Sequence, residues 1–261
     1  MRILITGAGR AIGAATAGEL AARGHHVVAT ARDVTLLADL DVAERLALDV
    51  TDERSVARAL AAAGELDAVV NNAAVNATGP LESFPLDELA QMFDTNALGA
   101  VRVVQPLLAA WRERGSGVIV NVSSVAGKVA APLDGPYAAT KFALEALTEA
   151  LYVELAHFGI RVLLVEPGFI APGMKAAPHH RGPEAYDELW DQLEGTDAKL
   201  GPGGRPGPEL VARAIADALE DPASPLRLEV GADAAMVLGA RRQLDDAAFE
   251  AALRQVVGLT W

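Results

Sequence analysis

A serine, a tyrosine and a lysine stand at spacings that suit acid–base chemistry in the segment SSVAGKVAAPLDGPYAATK. Tyr137 and Lys141 lie four residues apart, and Ser124 lies thirteen residues before the tyrosine. If the chain is helical from Pro136, residues four apart share one face, so the ammonium lies beside the phenol. The ordinary pKa of tyrosine is about 10, and a fixed cation stabilises its phenolate. We interpret the pair as an acid–base group and Ser124 as a holder of the substrate oxygen, although such pairs also occur by chance on solvated helices.

The composition excludes several classes of function. The 261 residues carry a formal net charge of −13, which disfavours nucleic-acid binding because phosphate contacts need clustered cations. The chain has no cysteine, so thiolate chemistry, disulfides and Cys-ligated zinc are excluded, and no metal constellation is evident. No apolar run approaches the roughly 18 residues of a membrane span. We expect a cytoplasmic protein with no signal peptide and no membrane or nucleic-acid partner.

Short β-branched runs alternate with longer Ala- and Leu-rich stretches. Strands are predicted at Ile3–Thr6, His26–Thr30, Arg45–Leu48, Ala68–Asn71, Gly117–Val122, Ile160–Glu166 and Leu226–Val230. Helices are predicted at Ile12–Arg23, Glu53–Ala63, Leu86–Arg114, Tyr137–Phe158 and Pro208–Glu220. Hydrophobic strands alternating with helices indicate a parallel sheet covered on both faces. The pattern predicts an α/β, three-layer, doubly wound Rossmann fold with a mainly parallel seven-stranded sheet, in one domain spanning residues 1–261.

Two segments depart from this alternation. Residues 168–207 are rich in Pro and Gly and contain a short amphipathic piece, Glu184–Leu193, so we predict a substrate lid, with a disordered surface loop as the alternative. The tail, residues 231–261, should form one or two helices that pack on the domain. The lid residues that could meet a substrate are Phe169, Met174, Tyr186, Leu189 and Trp190, with His179, His180 and Arg181 as polar candidates.

The turn after the first predicted strand, TGAGRAIG at Thr6–Gly13, could bind a phosphate. Glycines there permit a tight turn and let a pyrophosphate approach backbone N–H groups at a helix N-terminus. An ordinary strand-to-helix loop is the alternative, but the position between the first strand and the first helix is the one that a dinucleotide site requires.

The end of the second predicted strand bears on the choice of cofactor. An acid there would accept the ribose 2′-hydroxyl of NAD, whereas a cation would bind the 2′-phosphate of NADP. Arg32 stands at this end, and Arg10 in the glycine turn offers a second cation. Arg32 could instead be a solvated residue and Asp33 a helix cap. We predict NADP(H) over NAD(H).

These motifs together resemble the short-chain dehydrogenase/reductase family, in its shorter single-domain branch. The resemblance runs in order over nearly the whole chain and comprises TGAGRAIG, Asp49-Val50, NNAA at Asn71–Ala74, Asn96 in DTNALG, Ser124, the YAATK motif at Tyr137–Lys141, and Pro167-Gly168. It implies an oxidoreductase that interconverts a carbonyl and an alcohol by hydride transfer, commonly as a homodimer or homotetramer built on the two long helices. The substrate would be a small molecule, medium-sized and hydrophobic.

The resemblance also implies roles for individual residues. Asn96, Ser124, Tyr137 and Lys141 match the catalytic tetrad. In it Tyr137 exchanges the proton, Lys141 lowers the pKa of Tyr137, Ser124 orients the substrate oxygen, and Asn96 holds a water that relays protons. The implied cofactor-binding residues are Gly7, Gly9, Arg10, Ala11, Ile12, Gly13, Arg32, Asp49, Val50, Asn71, Ala73, Tyr137, Lys141, Pro167, Gly168 and Ile170.

Three positions depart from the family pattern. Ala11 stands where a glycine is usual, Ala74 replaces a common glycine, and Pro172 replaces a threonine whose hydroxyl often binds the carboxamide. They bear on cofactor affinity rather than on the fold. Two other functions stay open: a non-catalytic NADP-sensing regulatory protein, which the complete tetrad disfavours, and a nucleotide-sugar epimerase or dehydratase, which the lack of a larger substrate domain disfavours.

Overall fold

A computed structural model describes residues 1–171, 179–193 and 204–261. Seven parallel strands form one sheet in the order β3-β2-β1-β4-β5-β6-β7. They are β1 (Arg2–Ile5), β2 (His26–Ala31), β3 (Glu44–Ala47), β4 (Ala68–Asn71), β5 (Gly117–Val122), β6 (Ile160–Pro167) and β7 (Arg227–Val230). The predicted doubly wound fold is confirmed, and each predicted strand is present with ends that differ by at most one residue.

The central strands are buried on both faces, as an all-parallel sheet requires. In β1, Ile3 and Ile5 join the apolar cluster on one side of the sheet, whereas Leu4 joins the cluster on the other side, and all three are fully buried. Successive side chains alternate between the faces of a strand, so one short strand contributes to two cores.

Helices cover both faces of this sheet. Those that surround it are α1 (Ala11–Ala22), α2 (Glu53–Ala63), α3 (Leu86–Phe93), α4 (Gly99–Val104), α5 (Leu108–Arg114), α6 (Gly135–Ala156) and α8 (Glu209–Glu220). Helix α7 (Asp187–Leu193) lies in the predicted lid, and α9 (Ala232–Gln243) and α10 (Asp246–Val257) form the tail. Side-chain oxygens of Asp52 and Asp245 accept backbone N–H groups at the starts of α2 and α10, which fixes these ends.

The single helix predicted over Leu86–Arg114 is wrong. A π-helical turn at Asp94–Leu98 separates α3 from α4, and a 3-10 turn at Gln105–Leu107 separates α4 from α5. Pro106 has no N–H to continue the α-helical ladder, which accounts for the second break. The first break contains Asn96, whose side chain bonds to the backbone of Val75 instead of facing solvent.

The tail and the described part of residues 168–207 pack together. Leu189 of α7 forms an apolar cluster with Val257, Leu259 and Leu133, and the last of these precedes α6. The side chain of Gln192 also binds the backbone N–H of Thr260 at 2.8 Å. The end of the tail and α7 therefore pack together close to the start of α6.

Candidate active site

A cleft of about 1060 Å³ opens at the carboxyl ends of the strands. In open α/β sheets, ligands bind where neighbouring strands lead their connections to opposite faces, which here is between β1 and β4. The glycine turn after β1, the loop after β4, the start of α6 and residues of α7 and α10 all line this cleft. A nucleotide cofactor and a substrate together need a volume of this order.

The glycine turn has no room for side chains at two positions. Gly7 has a φ of 65°, and a Cβ there would lie 2.9 Å from the Cα of Ala73. A Cβ on Gly13 would overlap the carbonyl oxygen of Gly7 and lie 2.6 Å from the amide nitrogen of Asn72. The turn is therefore held tightly against the loop after β4, with the N-terminus of α1 facing the cleft. This is the cradle that a pyrophosphate requires, so the residues fit a dinucleotide.

Ala11 occupies a left-handed backbone conformation with a φ of 46°. A residue with a Cβ pays roughly 1–2 kcal/mol for this region, which is why a glycine suits the position better. The predicted departure from the family pattern thus has a structural cost, although the turn keeps its shape.

Two arginines lie at the far end of the cleft. Arg10 and Arg32 both line it and are exposed, and neither forms an ion pair with a residue in the described part of the chain. Asp49 and Val50 line the same end. Burial opposes ionisation of Asp49, but hydrogen bonds from Thr51 and the charges of Arg32 and Arg102 lower its pKa overall.

Two neighbouring asparagines at the end of β4 have different surroundings. Asn71 is buried and does not line the cleft; its amide donates to Oδ1 of Asn121 at 2.9 Å, which joins β4 to β5. Asn72 lines the cleft, and its amide donates to the carbonyls of Thr6 and Gly7, at 3.1 Å each. The sequence predicts a cofactor contact for Asn71, whereas in the structure it is Asn72, its neighbour in the NNAA motif, that lines the cleft. Ala73 and Ala74 also line the cleft, as does Ile170.

Tyr137 enters the cleft from the first turn of α6 and packs against Ala77, Phe84 and Met92. Burial and the nearby charge of Asp134 raise the pKa of Tyr137 well above its ordinary value, and the hydroxyl of Ser124 acts in the opposite direction. The phenol is therefore protonated at neutral pH. That is the form needed to give a proton to a carbonyl oxygen.

Lys141 lies one turn further along α6 and is buried. Its Nζ donates to the carbonyl of Val122 at 2.8 Å and lies 5.7 Å from the centre of the Tyr137 ring. Burial lowers the pKa of Lys141 to about 8, opposed by the charge of Glu145. The expected lowering of the Tyr137 pKa by Lys141 is not found, because the ammonium is held by a backbone carbonyl and burial of the phenol dominates.

Asn96 does not line the cleft but supports it from behind. Its Oδ1 accepts the backbone N–H of Val75, and its amide donates to the carbonyl of Val75 and to Oγ1 of Thr140, at 2.8 to 2.9 Å. The hydroxyl of Thr140 in turn donates to the carbonyl of Tyr137 at 2.7 Å. Asn96 thus ties the loop after β4 to the turn of α6 that carries the tyrosine.

The loop after β6 brings Pro167, Gly168 and Ile170 to the cleft. The backbone N–H of Phe169 donates to Oδ2 of Asp233 at 2.6 Å, and a Cβ on Gly168 would overlap that carboxylate. Asp233, in the first turn of α9, therefore holds this loop. Nothing in the local sequence pattern distinguishes Asp233 from an ordinary helix-start acid.

The predicted lid residues divide into two groups. His179 and Trp190 line the cleft with their rings edge to face, and the ring of His179 is hydrogen-bonded to Thr78. His180 faces Glu88 of α3 instead, and the hydroxyl of Tyr186 donates to Glu82. Phe169 and Arg181 line the cleft, and Leu189 packs on the tail. Met174 and Pro172 lie outside the described residues.

Within the described ranges no cluster of three or more His, Cys, Asp or Glu side chains could hold a metal ion. No helix there combines the length and the apolar character needed to cross a bilayer.

Comparison with known proteins agrees with this geometry. The family model described as short chain dehydrogenase matches residues 1–181. The chain belongs to the short-chain dehydrogenase family. It is therefore an oxidoreductase of that family, with a fold that binds a nicotinamide cofactor.

Two curated relatives illustrate the range of this similarity. An uncharacterized oxidoreductase of Schizosaccharomyces pombe is 34% identical over 212 residues, which cover 79% of this chain and 88% of the relative. Retinol dehydrogenase 8 of Bos taurus is 41% identical over 180 residues, which cover 64% of this chain and 58% of the relative.

Solved structures show the same fold over almost the whole chain. A short-chain dehydrogenase from Streptomyces avermitilis has a TM-score of 0.83 at 38% identity, covering 98% of this chain and 97% of its own. A short-chain dehydrogenase from Burkholderia cenocepacia in complex with NADP has a TM-score of 0.75 at 27% identity, covering 99% and 97%. A 3-ketoacyl-(acyl-carrier-protein) reductase from Brucella melitensis complexed with NADH has a TM-score of 0.71 at 28% identity, covering 84% and 90%.

Proposed function

We propose that the protein is an NADP(H)-dependent oxidoreductase that interconverts a carbonyl and an alcohol, with Tyr137 as the general acid and base. The observation that carries this proposal is the convergence of Ser124, Tyr137 and Lys141 in one cleft beside the glycine turn. Ser124 follows β5, whereas Tyr137 and Lys141 lie one turn apart in α6, and all three line the cleft that also contains the glycine turn.

Each residue of the site has its own role in the proposed reaction. When bound, the nicotinamide supplies or accepts the hydride. Tyr137 gives its proton to the developing alkoxide in reduction, and Ser124 orients the same oxygen with a hydrogen bond. Lys141 holds the cofactor ribose and exchanges protons with solvent. Asn96 positions the turn that carries Tyr137, because its amide donates to Oγ1 of Thr140, which in turn donates to the carbonyl of Tyr137.

The NADP preference rests on Arg10 and Arg32. Both are exposed at the end of the cleft where a 2′-phosphate would lie. In a chain with a net charge of −13, two cations without an ion-pair partner in the described residues offer a local site for an anion. Asp33 binds the backbone N–H of Thr35 and its hydroxyl, so this carboxylate is engaged in a local turn rather than with a ribose.

Arg32→Ala tests this preference. The loss of a hydrogen-bonded charge pair costs roughly 1.5–3 kcal/mol, so kcat/KM for NADPH should fall at least tenfold, with little change for NADH. Arg58→Ala, a matched change at an exposed arginine of α2, should affect neither cofactor. Equal losses for NADPH and NADH would contradict the assignment.

The substrate half of the cleft favours a medium-sized hydrophobic molecule. Trp190, Leu193, Leu253 and Val257 line it together with Leu133. We propose that the described part of residues 168–207 acts as the lid over this half, since α7 and the tail form its wall. Retinol dehydrogenase 8, one of the relatives, is named after an apolar alcohol, which is consistent with this substrate class.

We also propose a homodimer or homotetramer. Leu98, Phe142 and Val153 are exposed apolar residues on or next to α4 and α6, the helices that the resemblance assigns to subunit contacts. Light scattering on the purified protein would give the number of copies directly.

Oxidation of NADPH in the presence of a chemically diverse carbonyl panel tests the main proposal. The wild type should turn over at least one class of carbonyl, and Tyr137→Phe should lose at least about a hundredfold in kcat, as expected for removal of a general acid. Tyr152→Phe, at an exposed tyrosine of the same helix, is the matched control. Activity retained by Tyr137→Phe would remove the tyrosine from the mechanism. Tight NADPH binding without turnover of any carbonyl would favour the sensing role instead.

A further inference from the structure

A carboxyl group stands beside the proposed acid in the substrate half of the cleft. Asp134 lines the cleft three residues before Tyr137, and its charge raises the pKa of that tyrosine, so the two side chains are electrostatically coupled. Asp134 directly precedes α6, a position where an aspartate side chain often caps the helix. The structure shows otherwise, because the Asp134 side chain makes no capping hydrogen bond to α6.

The backbone holds this carboxyl in place. Leu133, the preceding residue, has a left-handed φ of 66°, and its carbonyl accepts the backbone N–H of Gly79 at 2.8 Å. Its side chain is fixed in the apolar cluster with Leu189 and Val257. A conformation that costs roughly 1–3 kcal/mol persists only where the surroundings enforce it, and such positions concentrate at ligand sites.

Asp134 also lacks a partner inside the protein. No residue in the described ranges forms a hydrogen bond or an ion pair with its side chain, and the side chain is partly buried. Burial raises the pKa of Asp134 to about 7, with no cation that offsets it. A carboxyl that is partly buried and has no partner among the described residues is available to pair with a cationic group of a ligand in the cleft.

We infer that Asp134 is a substrate-specificity residue that binds a cationic amino group carried next to the reacting carbonyl or alcohol carbon. This inference rests on the proposed function, because Tyr137 fixes where the reacting oxygen lies. Asp134 directly precedes the helix turn that carries Tyr137 and lines the same cleft, so it is a neighbouring anion for a group carried next to the reacting carbon. The preferred substrate is an amino ketone or amino alcohol.

The rest of the cleft defines the other end of that substrate. Beyond Leu133 the wall is formed by Trp190, Leu193, Leu253 and Val257, which offer apolar contacts. An ammonium at Asp134 would therefore leave the carbon chain against this wall. The net charge of −13 also attracts cations to the protein in general, whereas Asp134 supplies the specific contact.

The test compares three ketones of one chain length. They are decan-2-one and its derivatives that carry a dimethylamino or a hydroxyl group on carbon 1; the tertiary amine avoids self-condensation. The wild type at pH 7 should show at least a tenfold higher kcat/KM for the amino ketone than for decan-2-one. Asp134→Asn should abolish this preference, measured as the ratio of the two kcat/KM values, and Asp134→Glu should retain it. Asp87→Asn, the same change at an exposed position of α3, should leave the ratio unchanged.

Each other outcome overturns the inference. An amino-ketone preference that survives in Asp134→Asn places the cation elsewhere, and a preference for the hydroxy ketone shows a neutral hydrogen-bond partner instead. Failure of the proposed function is distinguishable, because the wild type would then reduce none of the three. In that case calorimetric titration of the NADP⁺-loaded protein with 1-(dimethylamino)decan-2-ol and with decan-2-ol gives the same comparison without turnover. Equal affinities of the wild type for the two alcohols would refute the inference.

Discussion

Replacing Glu166 with glutamine should stabilise the protein above pH 7 and change its stability little near pH 4. Glu166 lies at the end of β6, is 1% exposed, and neither carboxylate oxygen has a hydrogen-bond partner among the described residues. Burial and the neighbouring Glu145 raise its pKa from 4.5 to about 7, although Arg227, whose Nε lies 3.5 Å away, and Lys128 oppose the change. The ionised form is therefore disfavoured in the folded protein.

The direction in which stability changes with pH follows from proton linkage. Between pH 4.5 and about 7 the unfolded chain loses the Glu166 proton while the folded protein keeps it, so stability falls as the pH rises. The cost of the carboxylate grows from about 1 kcal/mol at pH 5 to about 3 kcal/mol at pH 8, at about 1.4 kcal/mol for each pH unit. A glutamine does not titrate. The free energy of unfolding of Glu166→Gln relative to that of the wild type should therefore rise by about 2 kcal/mol between these pH values. The substitution also removes the carboxylate that faces Arg227, which destabilises the protein. The value of about 2 kcal/mol is therefore an upper value.

Urea denaturation of the wild type and of Glu166→Gln at pH 5 and pH 8 measures the difference between their free energies of unfolding. Glu149→Gln is the matched control, because a hydrogen bond and charge from Arg227, with the charge of Lys128, lower the pKa of the exposed Glu149. That substitution should destabilise the protein at pH 8, the opposite sign. A Glu166→Gln variant that is less stable than the wild type at pH 8, or a gap that does not widen with pH, would refute the reasoning.

Three further predictions concern the cleft. Ala11→Gly should relieve the left-handed strain, raise the stability by up to about 1 kcal/mol in urea denaturation and change the cofactor KM but not kcat; a collapse of kcat would contradict the placement of this residue. Gly13→Ala should abolish cofactor binding in calorimetric titration, because its Cβ has no space beside Gly7; unchanged affinity would show that the turn can relax. Carbonyl reduction should decline as pH rises past about 8, where Lys141 loses its proton, while Tyr137 stays protonated; a pH profile flat to pH 10 would exclude this role of Lys141.

The sheet could be predicted because its signal is local. The apolar runs of β4 and β5 are buried along their whole length, and both strands were predicted with the observed ends. The break within Leu86–Arg114 could not, because its cause is distant. Asn96 meets Val75 only after the chain has folded, and a helical pattern of hydrophobic residues contains no record of that contact.

The site also contains features that the local sequence predicts and features that it does not. The spacing of Ser124, Tyr137 and Lys141 predicts which side chains share the cleft, because a strand end and a helix start fix their separation. The choice between Asn71 and Asn72 depends on where β4 stops, since a shift of one residue exchanges the two faces of a strand. The environment of Tyr137 depends on burial and on Asp134, neither of which its own motif reports.

The distribution of charge along the cleft links the cofactor proposal to the substrate inference. An acidic chain repels a phosphate-bearing cofactor at long range, so its affinity must come from cations placed where the phosphates bind. Arg10 and Arg32 line the cleft near the glycine turn and the end of β2, and Asp134 lines it directly before the helix turn that carries Tyr137. Arg181, Arg205 and Lys141 line the same cleft, so its described wall carries cations as well as the carboxylate of Asp134. The preference for an amine therefore depends on the single contact at Asp134, which has no ion-pair partner in the described residues, and not on an overall negative potential of the cleft.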